Sequence, residues 1–161
     1  VRGGALPPAL LLAALALALA FATPRVRIVS LIALAITLGA LSQLELPRGW
    51  LEIAFLGCWA STVVNAAAVH LPGGVGWRSG LALSLNSGVW VTAVVRLAGT
   101  PSDLPKACLM LIVLIPAGWL VARRAPIAVK VGSSWLIAIA ILCATLPFLP
   151  VTPGYLPDHL E

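Results

Sequence analysis

Six apolar runs, each close to the length of a membrane-crossing helix, follow one another along this chain with only short breaks between them. They cover approximately residues 6–23, 28–46, 51–71, 81–98, 107–122 and 131–149. A helix needs about 20 apolar residues, rising about 1.5 Å each, to cross roughly 30 Å of hydrocarbon. The breaks are TPRVR, PRGW, PGGVGWRSG, GTPSDLPK and RRAPIAVK. Gly frees the backbone and Pro removes an N–H, so these segments punctuate helices.

Composition turns those lengths into a fold class. Of the 161 residues, 61% are hydrophobic and 9% charged, whereas soluble domains carry about 25% charged residues. No globule of this size has interior enough for that much apolar surface. The expectation is an all-α, polytopic membrane helix bundle of six transmembrane helices. It forms one unit over residues 1–149, with a short extracytoplasmic tail over 150–161.

Charge sets the orientation. With six spans, one face holds Arg25, Arg27, Arg78, Arg123, Arg124 and Lys130 with no acid. The other holds Arg2, Arg48, Arg96 and Lys106 with all five acids, Glu45, Glu52, Asp103, Asp158 and Glu161. The positive-inside rule puts the first face in the cytoplasm and both termini outside. Eight Arg among ten cations, with abundant Ala, Leu, Gly and Pro, fit a GC-rich bacterial genome and hence the bacterial cytoplasmic (inner) membrane. The scattered cations form no patch for a nucleic acid. Residues 1–22 also have a signal-peptide pattern, ending in the small-x-small triplet Ala20-Phe21-Ala22. Cleavage there would leave Arg25 and Arg27 outside, against the charge rule, so the first helix is expected to be retained. Trp50, Trp77, Trp119 and Trp135 fall near expected helix ends, where an indole suits the headgroup layer; Trp59 and Trp90 lie deeper.

Two features bear on packing. Ala14, Ala18 and Ala22 recur every four residues, a spacing that lets backbones approach closely, although in an Ala/Leu run it equally suits a lipid-facing helix. Pro116 lies inside the fifth run and is expected to kink it.

The polar residues inside apolar runs are the handles on function. Cys58, Ser61, Thr62 and Asn65 share one face of the third helix. Asn65 and His70 are five residues apart, roughly 140° around the helix, so they do not act as a pair. Ser84, Asn86 and Ser87 lie on the fourth helix. Asn65 and Asn86 both fall about 8–9 Å from the cytoplasmic ends of their runs, and antiparallel neighbours would bring them together. Their seam is expected to be interhelical glue or the lining of a solute path. His70 reads as a titrating group at the cytoplasmic rim. Glu45, Glu52 and Arg96 share the outer rim and suggest an ion cluster.

Catalytic patterns are absent. The two histidines, His70 and His159, fall on opposite faces and cannot ligate one haem. No H-E-x-x-H, C-x-x-C or serine-protease G-x-S-G motif occurs, and Cys58, Cys108 and Cys143 read as small hydrophobes. Neither a cofactor nor a metal is expected, and an intramembrane enzyme using Ser87 or His70 is the remotest reading. The leading expectation is a non-enzymatic subunit in transmembrane transport of a small solute, working as an oligomer or within a larger complex. The alternative is a structural or assembly subunit. Its partners are the lipid bilayer and other membrane subunits or further copies of itself.

Overall fold

The computed structural model describes residues 4–148, and all regular structure among them is helical. In chain order the helices are α1 (Leu6–Leu19), α2 (Pro24–Leu41), α3 (Leu51–Ala68), α4 (Trp77–Ala98), α5 (Asp103–Cys108), α6 (Leu114–Ala122) and α7 (Pro126–Thr145). Short 3-10 segments at Arg48–Trp50, Leu109–Val113 and Leu146–Phe148 extend α3, join α5 to α6 and end α7. Five continuous stretches are long and apolar enough to cross a membrane: Pro24–Leu41, Arg48–Ala68, Trp77–Ala98, Asp103–Ala122 and Pro126–Phe148. The run at 6–23 yields a shorter helix, of 14 residues. The tail at 150–161 lies outside the described residues.

Four helices, α2, α4, α5 and α7, start earlier than the apolar runs because residues of the breaks enter their first turns. Pro24 opens α2 and Pro126 opens α7, using the one helical position where a missing N–H is harmless. Arg25, Arg27, Arg78 and Lys130 are therefore helical residues and not loop residues. The turn from α6 into α7 is a Schellman closure: Ala125 N–H bonds Leu120 O at 2.9 Å and Arg124 N–H bonds Val121 O at 3.1 Å. It places Arg124 at φ 59°, a left-handed position usually given to Gly.

α1 is the hub of the bundle. It packs against α3, α4, α7 and the α5–α6 stretch, and every residue from Leu11 to Ala20 is buried. The sequence LPPALLLAALALAL has no polar face, so nothing in it marks a side for solvent, and a helix apolar all round belongs inside. Of the two roles open to the Ala14–Ala18–Ala22 row, the structure takes the contact role: all three are buried.

α2 lies outside this hub and packs chiefly on α4. Its buried stripe, Ser30, Leu34 and Leu38, meets a row of small residues on α4, Gly80, Ser84 and Gly88. A Cβ at Gly80 would stand 2.8 Å from Ser30 Oγ, and one at Gly88 2.7 Å from Thr37 Cγ2. Only glycine allows these backbones so close. In the fifth run, Pro116 cannot bond Ile112 O. The α-helix gives way to the 3-10 segment Leu109–Val113 just before it.

Large apolar side chains face outward on α2, the α5–α6 stretch and α7, including Ile36 at 65%, Ile115 at 71% and Ile127 at 73% exposure. Continuous apolar surface of this kind is out of place in water and compatible with a membrane protein.

Candidate functional site

Contacts between distant segments sort the bundle into two ends. Phe21 meets Gly74, Arg27 meets Gly118 and His70 meets Ser133, so these segments share one end. Gly4 meets Ala98 and Gly99, and Leu41, Leu44, Trp50 and Leu97 line one cavity, so these share the other. The first is the basic end, with Arg25, Arg27, Arg78, Arg123, Arg124 and Lys130. The second is the mixed end, with Arg48, Arg96, Lys106, Glu45, Glu52 and Asp103.

The polar seam between α3 and α4 forms, but not as an amide pair. Asn65 Nδ2 donates to Ser87 Oγ at 2.8 Å, and Asn86 Nδ2 donates to Ser61 Oγ at 2.8 Å. Each asparagine reaches a serine on the opposite helix because the two amides lie on different sides of the contact: Asn65 is fully buried, whereas Asn86 is half-buried. The expected direct Asn65–Asn86 bond is thus replaced by two crossed bonds. Ser87 Oγ also donates to Leu83 O at 2.7 Å, and Thr62 Oγ1 to Cys58 O at 2.9 Å. Both hydroxyls are returned to their own helix, as is common for Ser and Thr in apolar surroundings. Asn65 Oδ1 and Ser84 Oγ are buried without a partner.

Trp90 completes the outer side of the seam. Its Nε1 donates to Asn86 Oδ1 at 3.0 Å, and its ring lies on Gly57, where any side chain would collide with it. The sequence placed Trp90 deeper than the indoles at the helix ends and gave it no partner; its spacing of four from Asn86 was the available signal.

His70 is exposed at the basic end, with Nε2 3.0 Å from Ser133 Oγ. Ser133 Oγ donates to Lys130 O at 2.8 Å. With that proton committed, the serine oxygen accepts and the imidazole donates from Nε2. Ser133, on α7, escaped the sequence reading because the partner helix is 63 residues away.

Arg27 is the larger omission. Its Nε lies 2.9 Å from Leu19 O and 3.0 Å from Ala22 O, and its Nη2 lies 2.6 Å from Ala20 O. The guanidinium closes the carbonyl end of α1, where the helix dipole concentrates negative charge. Gly118 makes room for it: a Cβ there would stand 3.2 Å from Nη1.

At the mixed end the expected cluster of Glu45, Glu52 and Arg96 does not assemble. All three are exposed, and Asp103–Lys106, at 3.5 Å, is the ion pair found among the described residues. Glu52 sits in the first turn of α3 and Arg96 in the last turn of α4. Each charge has the sign its own helix end favours, which stabilises it without an ion pair. Among the described residues no three His, Cys, Asp or Glu side chains group to hold a metal ion.

Comparison with known proteins gives no relative: no family model, no curated protein and no solved structure matches this chain. The functional reading rests on its own geometry.

Proposed function

We propose that this chain is a non-enzymatic, multi-pass subunit that assembles into a larger complex of the bacterial inner membrane. In this reading it crosses the bilayer six times, with the basic end in the cytoplasm and both termini outside, as the positive-inside rule requires. The observation that carries the assembly role is the make-up of the bundle's centre. α1 occupies it and contributes no polar side chain over Leu6–Leu19. A path for a hydrated solute needs groups that replace its water. The donors nearest the centre, Asn65 Nδ2, Ser87 Oγ and Thr62 Oγ1, are bonded across the seam or to their own helices. Only Asn65 Oδ1 and Ser84 Oγ are buried without a partner among the described residues, too few to line a path. That arrangement favours a packed subunit over the transport role.

The surface that would meet a partner is the α3–α4 groove, bordered by Gly57, Ala60, Ser61, Val64 and Asn86. Small residues allow a foreign helix close, and the half-buried Asn86 retains a second N–H for it. The test is the double substitution Asn65→Leu with Asn86→Leu, expressed from the native locus. Co-purification in mild detergent and counterflow of a panel of labelled small solutes in proteoliposomes are then compared with wild type. The expected outcome is loss of co-purifying chains, with no counterflow from either protein. Counterflow by wild type that vanishes in a variant still bound to its partners would establish transport instead.

A further inference from the structure

A second feature, at the mixed end, has a chemistry of its own. A cavity of about 130 Å³, open on one side, is lined by Leu41 at the end of α2, Leu44 in the connector, Trp50 and Ala54 at the start of α3, and Trp90 and Ala93 on α4. Three lining residues carry a polar side-chain atom, and none offers it to the interior. Trp90 Nε1 is committed to Asn86 Oδ1. Thr92 Oγ1 donates to Gly88 O at 2.8 Å. The third, Trp50, is 54% exposed at the rim.

Water needs two to four polar partners to occupy such a space, and apolar cavities of roughly 150 Å³ stay dry and take up hydrocarbon instead. Whatever fills this cavity is apolar. Two further observations choose among apolar occupants. Trp90 borders both this cavity and the open α3–α4 groove, so one aromatic ring separates the interior from the flank of the bundle. In addition, Glu45, Arg48, Glu52 and Arg96 are exposed at the same end, and no ion pair joins them among the described residues. Opposite charges left free beside an apolar cavity suit an amphiphile with a charged headgroup and a hydrocarbon tail.

We propose that the cavity seats the headgroup-proximal stretch of one hydrocarbon chain of a membrane phospholipid, with Trp90 as the wall between that chain and the groove. The lipid headgroup lies among the rim charges. This assignment stands apart from the assembly role, since it concerns the opposite side of Trp90 from Asn86.

The full chain in dodecyl maltoside is titrated with a phospholipid brominated on the headgroup-proximal part of its chain, and tryptophan fluorescence is read. Bromine quenches on contact, and two of the six tryptophans line the cavity. The expected result is a saturable component of quenching in wild type above the linear background from micelle partition. Ala93→Leu and Ala54→Leu each fill the cavity from a different helix, and each is expected to abolish the saturable part while keeping the wild-type melting temperature or raising it. A purely linear response in wild type, or a saturable component that survives in whichever variant folds, overturns the proposal. Equal displacement by benzene and by unbrominated phospholipid would assign the cavity to small apolar molecules and overturn the chain assignment.

Discussion

The two ends of the bundle are built differently. At the basic end, side chains reach across helices: Arg27 holds three carbonyls at and just after the end of α1, His70 bonds Ser133, and a Schellman closure ties α6 to α7. At the mixed end, the connector over residues 42–47 is not helical, the ionisable groups Glu45, Glu52 and Arg96 stand apart, and an apolar cavity remains. Like-signed charge explains part of the contrast. Five of the six cations at one end are exposed, and the half-buried Arg27, with no acid at that end to pair with, takes backbone carbonyls. At the other end Asp103 pairs with Lys106 and accepts Thr100 N–H, while Glu45, Glu52 and Arg96 stay in the surrounding medium.

The contrast is sharpest at Arg27. Arg27→Met removes three charge-assisted hydrogen bonds and takes the donor from Ala20 O and Ala22 O, while Leu19 O keeps Ala22 N–H. A loss of about 2–4 kcal/mol is expected, since hydrogen bonds to charged groups contribute about 1.5–3 kcal/mol and buried orphans add to the penalty. Thermal unfolding in detergent, followed by circular dichroism, measures it; an unchanged midpoint would remove the distinction between the ends. Arg124→Gly tests the same end in the opposite direction. The left-handed backbone at φ 59° is strained for any residue with a Cβ, so glycine should stabilise by roughly 0.5–1 kcal/mol. A fall in midpoint would mean that the Arg124 side chain itself holds the turn.

The smallest effect belongs to the mixed end. Glu45→Gln, Glu52→Gln and Arg96→Gln, singly or together, should each move stability by no more than about 0.5 kcal/mol, the range of exposed, unpaired charges. Strong coupling between Glu52 and Arg96 in a double-mutant cycle would restore the ion cluster and make the two ends alike.

Much of the architecture was legible in the chain, and the reasons are local. A backbone in hydrocarbon must satisfy its hydrogen bonds within its own segment, so an apolar run of the right length is a helix whatever surrounds it. The helical segments therefore follow the apolar runs, and the break before Pro116 follows from one missing N–H. The seam was legible in part: Ser61, Asn65, Asn86 and Ser87 do come together. Their pairing was not, because sequence spacing places residues along a helix but does not say how far two helices are rotated about their own axes.

What the sequence alone determined is the all-helical class, the order of the helices and the gathering of six cations at one end. Only the tertiary structure decided that α1 lies at the centre, since a helix without a polar face carries no mark of which neighbour it prefers. It also decided the bonds of Arg27, Trp90 and His70. His70 reaches a residue 63 positions away; Arg27 and Trp90 bond residues near in the chain, but the room for their side chains is left by Gly118 and Gly57 on other helices.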